Sequence, residues 1–272
     1  MPKVQLEDAE LNVLDQGRGP VVLLVHGFPI DHRMWREQID TLSKTHRVIA
    51  PDLRGFGKSA ATSGVNSMPQ FADDLADLLE RMDVTETVVF CGLSMGGYIA
   101  WQFAHHYPEK LRGLILCDTK ATADAEAAVE TRHQVAEKVL AEGSEFLTKS
   151  MPSKIFSAHT REHQPELVDF VKQMISDASP QGIAGASRGM ALRPDMTALL
   201  PTLAVPALVI VGEDDELTKP QEMQAIAEEI PQSEFVSVAN AGHMAPLEQP
   251  AIVNEAIIRY LDSLPKAGQV ED

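Results

Sequence analysis

The fold prediction rests on residues 87–106, TVVFCGLSMGGYIAWQFAHH. The segment opens with an apolar run typical of a strand buried on both faces, and it closes with a helical run that stops before Pro108. Between them, Gly92-x-Ser94-x-Gly96 is the pattern of a nucleophile elbow, a turn so tight that glycine is needed two residues before and after the serine. The sequence therefore predicts a serine hydroxyl exposed above the carboxyl end of a sheet. That serine would also stand at a helix N-terminus, where backbone N–H groups and the helix dipole favour an oxyanion.

Apolar runs of strand length recur on both sides of this segment and alternate with helical patterns. The clearest helix is predicted over residues 67–82, with Ser67 as N-cap and Gln70 completing a capping box. Strands that alternate with helices favour a mostly parallel sheet covered by helices on both faces. We therefore predict an α/β fold with eight strands and a closing helix over residues 250–262. The predicted strands are two within residues 3–16, joined near Asp8-Ala9, followed by 21–25, 47–50, 87–91, 114–117, 207–211 and 234–238.

The pattern changes between residues 120 and 200, where the strand runs disappear and the chain becomes rich in Ala, Met and Glu. We expect three or four helices here, inserted before the strand at 207–211 as a lid over the strand ends. The predicted organisation is one discontinuous α/β core over residues 1–119 and 201–264, a helical lid over 120–200 and a flexible tail over 265–272.

The composition excludes several classes of protein. The 272 residues include 23 Lys and Arg against 40 Asp and Glu, a net charge of −17. This balance argues against a partner that is a nucleic acid or an anionic membrane, because both require clustered cations. The N-terminus lacks an apolar secretion signal, and no apolar run approaches the length of about 18 residues that a spanning helix needs. We expect a cytoplasmic protein, a monomer or small homo-oligomer, with Cys91 and Cys117 as buried free thiols.

A catalytic serine needs a base, and the base needs an orienting carboxylate. His243 lies in a loop directly after the strand at 234–238, and Asp215 follows the strand at 207–211. Because each of the three residues follows a strand, all three are expected at one edge of the sheet. The order Ser94, Asp215, His243 along the chain is the order of the triad in α/β-hydrolases.

Other motifs are interpreted as structural. The block DLRGFGKS, residues 52–59, does not open a helix directly after a strand and lacks the first glycine of a P-loop, so we interpret it as a structural loop. His159-x-x-Glu162-His163 matches a metalloprotease pattern, but it lies in the polar inserted region with Pro165 close behind, and we interpret it as a chance match. No metal and no cofactor is predicted.

Several blocks of the chain resemble the α/β-hydrolase family. They are His26-Gly27-Phe28-Pro29, DLRGFGKS, GLSMGG, GEDDELT and GHMAPLEQP, and they occur in the family's order between residues 20 and 262. Within the family the chain looks most like small bacterial carboxylesterases, enol-lactonases and cofactor-free haloperoxidases (perhydrolases). The resemblance implies that the backbone N–H groups of Phe28 and Met95 form the oxyanion hole. It also places the triad acid three residues after Gly212, at Asp215 rather than Asp214.

The expected activity is hydrolysis of a carboxylic ester of a small, mainly neutral substrate through an acyl-enzyme on Ser94. The strong negative charge of the chain does not favour a polyanionic substrate, whereas a mono-anionic ester remains compatible. The alternatives are a lactonase or perhydrolase with the same triad, and a ligand-sensing protein with slow or single turnover. An aspartate-nucleophile dehalogenase or epoxide hydrolase is disfavoured because the elbow carries serine. Candidate pocket residues are Met174, Met190, Met244 and Arg188, and Arg132 is a second candidate for contacting a substrate carboxylate.

Overall fold

The computed structural model describes residues 1–265 of the chain. Its centre is one sheet of eight strands, and the predicted α/β class is confirmed. The strands are β1 (Lys3–Gln5), β2 (Glu10–Gln16), β3 (Val21–Val25), β4 (Arg47–Pro51), β5 (Val88–Leu93), β6 (Leu111–Cys117), β7 (Ala207–Gly212) and β8 (Ser233–Val238). Their order across the sheet is β1-β2-β4-β3-β5-β6-β7-β8. Only the two pairs that involve β2 are antiparallel, and the other five pairs are parallel.

Helices cover the sheet and fill the segment between β6 and β7. The helices outside that segment are α1 (Arg36–Leu42), α2 (Met68–Arg81), α3 (Met95–His106), α10 (Pro220–Glu229), α11 (Ala245–Glu248) and α12 (Pro250–Ser263). Those within it are α4 (Glu126–Glu142), α5 (Glu145–Ser150), α6 (Pro152–Ile155), α7 (Ala158–His163), α8 (Pro165–Asp177) and α9 (Pro180–Ala191). Short 3₁₀ helices occupy His32–Trp35, Pro108–Lys110 and Thr197–Thr202.

Burial explains why the strand predictions succeed. Every residue of β3, β5 and β7 is buried, as their continuous apolar runs predict for strands covered on both faces. The edge strand β8 instead alternates between exposed and less exposed residues. The helix predicted over 67–82 is α2, and the side-chain oxygen of Ser67 accepts the backbone N–H of Gln70 as expected of its N-cap.

The inserted segment contains six helices, not the three or four expected. Three of them begin with proline, at Pro152, Pro165 and Pro180. Proline fits the first turn of a helix but cannot continue a preceding one, so each proline divides a stretch that periodicity alone joins. The buried apolar side chains of these helices are continuous with the core around the sheet.

Two further sequence predictions concern the cysteines and the C-terminal tail. Cys91 and Cys117 are free and buried, as predicted. Apart from Pro265, the tail predicted over 265–272 lies outside the described residues.

Within residues 1–265, no helix has the length and apolar character that crossing a bilayer requires.

The sheet places four loops side by side. Strands β5, β6, β7 and β8 are neighbours and run parallel, so their carboxyl ends lie along one edge. Ser94, Asp118, Asp215 and His243 all follow these strand ends. Topology alone therefore brings a hydroxyl, an imidazole and two carboxylates to one region.

Candidate active site

Ser94 occupies a strained turn between β5 and α3. Its φ is 52° and its ψ is −109°, a left-handed conformation that non-glycine residues rarely adopt. A Cβ on Gly92 would lie 2.4 Å from the carbonyl carbon of Gly96, and a Cβ on Gly96 would lie 2.3 Å from the carbonyl oxygen of Val25. These distances are too short for any side chain, so the two glycines are needed for the reason that the sequence predicts.

Ser94 and His243 are joined by a hydrogen bond, although 149 residues separate them in the sequence. The Oγ of Ser94 lies 2.8 Å from Nε2 of His243. On the other side of the ring, Nδ1 of His243 lies 2.8 Å from Oδ2 of Asp215. With Nδ1 protonated and donating to the carboxylate, Nε2 carries the lone pair that faces the serine hydroxyl.

Asp215, and not its neighbour Asp214, faces the histidine. Asp215 is only 3% exposed, and its Oδ1 accepts the backbone N–H groups of Leu217 at 2.8 Å and Thr218 at 3.0 Å. These bonds leave Oδ2 directed at His243. The Asp214 side chain is exposed. The structure thus directs the Asp215 carboxylate, and not that of Asp214, at the imidazole of His243.

Two backbone N–H groups near Ser94 have no acceptor among residues 1–265. Among residues 1–265, neither the N–H of Phe28 nor that of Met95 donates a hydrogen bond. Phe28 borders the cavity above Ser94, and Met95 is the first residue of α3. His26 fixes the loop before Phe28, because its Nε2 accepts the N–H of Leu53 at 3.0 Å while its Nδ1 lies 2.8 Å from the Gly27 carbonyl. Burial lowers the pKa of His26, so this ring is a neutral structural element.

A cavity of about 420 Å³ opens above the serine. The strand-end loops and the helices α4, α5, α6 and α9 form its wall. Its apolar side chains include Phe146, Met151, Met190 and Met244, and its ionisable ones are Lys120, Asp124, Arg132, Lys154 and His243. A small organic molecule placed here would contact Ser94 and Phe28.

Comparison with known proteins identifies the fold family. A family model described as the alpha/beta hydrolase fold matches residues 20–250. The chain belongs to the α/β-hydrolase family. The resemblance carried by the sequence blocks is therefore confirmed.

The similar proteins of this hydrolase include esterases and lactonases. A structure of a thermophilic esterase from Thermogutta terrifontis, with malate bound, has 46% identity and a TM-score of 0.94, covering 96% of this chain and 98% of that one. The enol-lactonase of Burkholderia xenovorans has 26% identity and a TM-score of 0.90, covering 96% and 100%. The 3-oxoadipate enol-lactonase 2 of Acinetobacter baylyi is 28% identical over 92% of each chain.

The structure corrects two of the pocket residues predicted for this hydrolase. Met190 and Met244 line the cavity, but Met174 and Arg188 are not among the described side chains of its wall. Met174 is 1% exposed and is packed in the apolar core on α8. On α9, Ser187 and Met190 are three residues apart and share a face, whereas Arg188 is rotated away from that face by helical geometry.

Glu248 lies beside the candidate site, although it is not among the residues predicted from the sequence. It is 2% exposed, and its Oε1 accepts the N–H groups of Gly242 at 2.8 Å and Met244 at 3.2 Å, one on each side of His243. Its Oε2 accepts the N–H of Ser157, between α6 and α7, at 2.9 Å. A carboxylate five residues after the predicted base, within an otherwise apolar turn, was the available sequence signal.

Thr119 and Asp118 also support the site. The hydroxyl of Thr119 donates to the carbonyl of Ser94 at 2.7 Å, and a Cβ on Gly97 would lie 2.3 Å from that hydroxyl oxygen. Asp118 is fully buried, and its Oδ1 accepts the N–H of Gly212 at 2.8 Å, while its Oδ2 has no partner among the described residues. Burial, together with the nearby Asp215 carboxylate, raises the pKa of Asp118 well above its usual range.

The DLRGFGKS block forms a hydrogen-bonded loop away from the cavity. The Asp52 carboxylate accepts from Asn12 Nδ2 at 2.7 Å and from the N–H of Lys58 at 2.9 Å. Burial of Asp52 opposes its ionisation, but hydrogen bonds from His32 and Lys58 prevail and lower its pKa to about 2. Arg54 is 2% exposed and forms ion pairs with Asp8 and Asp74.

The H-x-x-E-H pattern lies on the short helix α7. Its two histidine rings stack with centroids 4.5 Å apart, and Nδ1 of His163 lies 2.9 Å from the carbonyl oxygen of His159. These are contacts between successive turns of one helix.

Proposed function

We propose that this hydrolase cleaves carboxylic esters of small substrates by covalent catalysis at Ser94. One observation carries the proposal: the unbroken hydrogen-bonded chain from Ser94 Oγ through His243 to Asp215, with both links at 2.8 Å. A serine, a base and a buried orienting carboxylate in this geometry are the requirements for nucleophilic acyl transfer.

The first half of the proposed reaction forms an ester on the enzyme. His243 Nε2 takes the proton of Ser94 as Oγ attacks the substrate carbonyl carbon, and the carbonyl oxygen becomes an oxyanion. Asp215 stabilises the imidazolium that forms. When the tetrahedral intermediate collapses, the carbon–oxygen bond to the alcohol breaks and the alcohol leaves with the proton from Nε2. The second half repeats these steps with water as nucleophile, releases the acid and restores Ser94.

The unpartnered N–H groups of Phe28 and Met95 are the proposed donors to the oxyanion. They are fixed before the reaction starts, so no reorganisation is required when negative charge develops. Each such donor contributes about 3 kcal/mol to stabilising a transition state of this kind.

We further propose that the helices of residues 120–200 act as a lid that shapes the substrate pocket. The proposal is supported by the contribution of α4, α5, α6 and α9 to the cavity wall. Met151 and Met190 of this segment provide adaptable apolar surface next to the reacting serine. A cavity of about 420 Å³ favours small substrates.

A lactonase is the second candidate, favoured by the enol-lactonases of Acinetobacter baylyi and Burkholderia xenovorans among the similar proteins. Lactone opening uses the same triad, but the leaving alcohol remains attached to the acyl group. The two activities are therefore separated by substrate shape and not by the catalytic residues.

Turnover of p-nitrophenyl acetate and butyrate, measured beside a short-chain lactone series, tests the proposal. An ester hydrolase gives repeated rapid turnover of the nitrophenyl esters and prefers them to the lactones. A preference for lactones transfers the function to the second candidate. A single slow turnover that leaves Ser94 acylated contradicts both and favours a ligand sensor.

A further inference from the structure

Two arginines share one carboxylate at the wall of the cavity. The Oδ1 of Asp124 lies 2.6 Å from a terminal nitrogen of Arg193, and its Oδ2 lies 3.2 Å from Nε of Arg132. The exposed fractions of these side chains are 8% for Asp124, 4% for Arg193 and 25% for Arg132. Together, the two guanidinium groups and the one carboxylate carry a net charge of +1.

Arg193 is fixed in place by this group and its surroundings. Its Nε donates to the carbonyl of Thr122 at 3.2 Å, and its guanidinium lies over the Tyr98 ring, 4.1 Å from the centroid. Asp124 forms its shorter contact with Arg193, and Arg132 contacts Asp124 only through Nε. Within the described chain, the two terminal nitrogens of Arg132 make no hydrogen bond to protein, and Arg132 lines the cavity.

The same cavity contains two lysines. Lys120 forms an ion pair with Glu222 at 3.0 Å, whereas Lys154 is exposed and has no ion pair within 4.0 Å among residues 1–265. Apart from His243, the cavity is lined by three basic side chains and one acidic one, in a chain whose net charge is −17. Arg132 is partly buried, and its two terminal nitrogens are left for a ligand in the cavity, so an anion bound there would be favoured.

We propose that Arg132 binds a free carboxylate of the substrate, so that the preferred ester is mono-anionic, a half-ester of a short dicarboxylic acid or an ester of a hydroxy acid. This inference rests on the proposed esterase function and deepens it. The planar guanidinium of Arg132 can offer its two terminal nitrogens to both oxygens of one carboxylate, a pairing that a lysine cannot reproduce. The other end of the substrate then lies towards Ser94 in the same cavity.

The test compares methyl hydrogen adipate with its neutral analogue dimethyl adipate. The wild type is expected to favour the half-ester. In Arg132→Gln, the ratio of kcat/KM for the half-ester to kcat/KM for the diester falls about 10- to 100-fold. The change is mainly a higher KM for the half-ester, because the lost contact with the substrate carboxylate lies away from the reacting carbonyl. Arg132→Lys, which retains the charge but not the fork, restores part of the ratio. A third substrate, the acetyl ester of 4-hydroxybutyrate, establishes which side of the ester carries the carboxylate.

Arg188→Gln is the matched control. It removes the same charge from a nearby helix, but Arg188 does not line the cavity, so the ratio stays at the wild-type value. An Arg132→Gln ratio within twofold of wild type overturns the inference, as does an equal fall in Arg188→Gln.

A binding experiment separates this inference from the proposed function. Methyl hydrogen adipate is titrated calorimetrically into Ser94→Ala and into Ser94→Ala combined with Arg132→Gln. Binding to the first and about tenfold or greater weakening in the second supports the carboxylate site even if no ester is turned over. Equal binding to both variants, or none to either, overturns the site, whatever the esterase assay shows.

Discussion

The carboxylate of Glu248 accepts the backbone N–H of Gly242 at 2.8 Å, directly before His243 in the chain. The same oxygen accepts the N–H of Met244 at 3.2 Å, directly after it. The second oxygen accepts the N–H of Ser157 from the inserted segment. One buried side chain thus fixes the loop of the proposed base and attaches it to the helices above.

Glu248→Ala is expected to lower kcat of the folded protein by about 10- to 100-fold, because a displacement of the imidazole by about 1 Å is sufficient for such a loss. It also leaves buried N–H groups without acceptors, which costs about 1–3 kcal/mol of unfolding free energy each. Thermal unfolding and single-temperature kinetics measure the two effects separately. Glu216→Gln, an exposed carboxylate near Asp215 in sequence, is the control. Wild-type kcat in Glu248→Ala would contradict the positioning role.

Asp215→Asn is expected to lower kcat on the order of 10⁴-fold, by analogy with the serine proteases, because an amide can present its NH₂ to Nδ1 and favour the wrong tautomer. Asp214→Asn should leave kcat within about twofold, since exposed side chains rarely contribute. The comparison uses one ester and variants whose folding has been checked by circular dichroism. A larger loss in Asp214→Asn would transfer the orienting role to that residue.

Met190→Ala should change relative kcat/KM along a p-nitrophenyl series from acetate to octanoate, because Met190 lines the cavity. A methylene in such a pocket is worth about 1–3 kcal/mol, so the preferred chain length should increase. Met174→Ala is the matched control, because it removes the same side chain from the core outside the cavity wall. It should lower the free energy of unfolding by about 2–5 kcal/mol without altering the preference. Identical profiles for the two variants would exclude Met190 from the pocket.

Asp118→Asn should stabilise the protein increasingly as the pH rises. The pKa of Asp118 is raised in the folded state, so above pH 4 the unfolded chain releases a proton that the folded chain retains. The contribution of Asp118 to stability is therefore fully present below its pKa in the unfolded chain. It is lost as the pH rises through its pKa in the folded protein. Asparagine keeps an oxygen for the Gly212 N–H and does not ionise. Unfolding free energies of both proteins from pH 4 to 8 measure this, and a pH-independent difference would contradict the assignment.

Local patterns explain why the fold could be predicted and why the residues of the proposed triad could be selected. The buried strands are continuous apolar runs, and the elbow needs glycine at 92 and 96 for steric reasons that any chain of this shape shares. His243 and Asp215 could be selected because each follows a strand in the sequence. The carboxyl ends of parallel strands lie along one edge of the sheet, so residues that follow them are close together in space.

The remaining parts of the site depend on contacts that no local pattern encodes. Glu248 reaches Ser157 across 91 residues, and Arg193 reaches Asp124 across the whole inserted segment. Met174 and Met190 cannot be distinguished by composition, because only the packing of α8 and α9 decides which one borders the cavity. Hydrophobic periodicity predicts too few helices in the insertion because it continues across prolines that begin new helices.

The central claim is covalent catalysis at Ser94. The most direct test compares Ser94→Ala with the wild type. Turnover of p-nitrophenyl acetate and covalent labelling by a fluorophosphonate are measured on the same samples. The account predicts that wild-type protein gains one phosphonyl group on the peptide containing Ser94 and loses activity in step. Folded Ser94→Ala should remain unlabelled there and turn over about 10⁴- to 10⁶-fold more slowly. Substantial turnover by folded Ser94→Ala, or stoichiometric labelling at another residue with loss of activity, would contradict it.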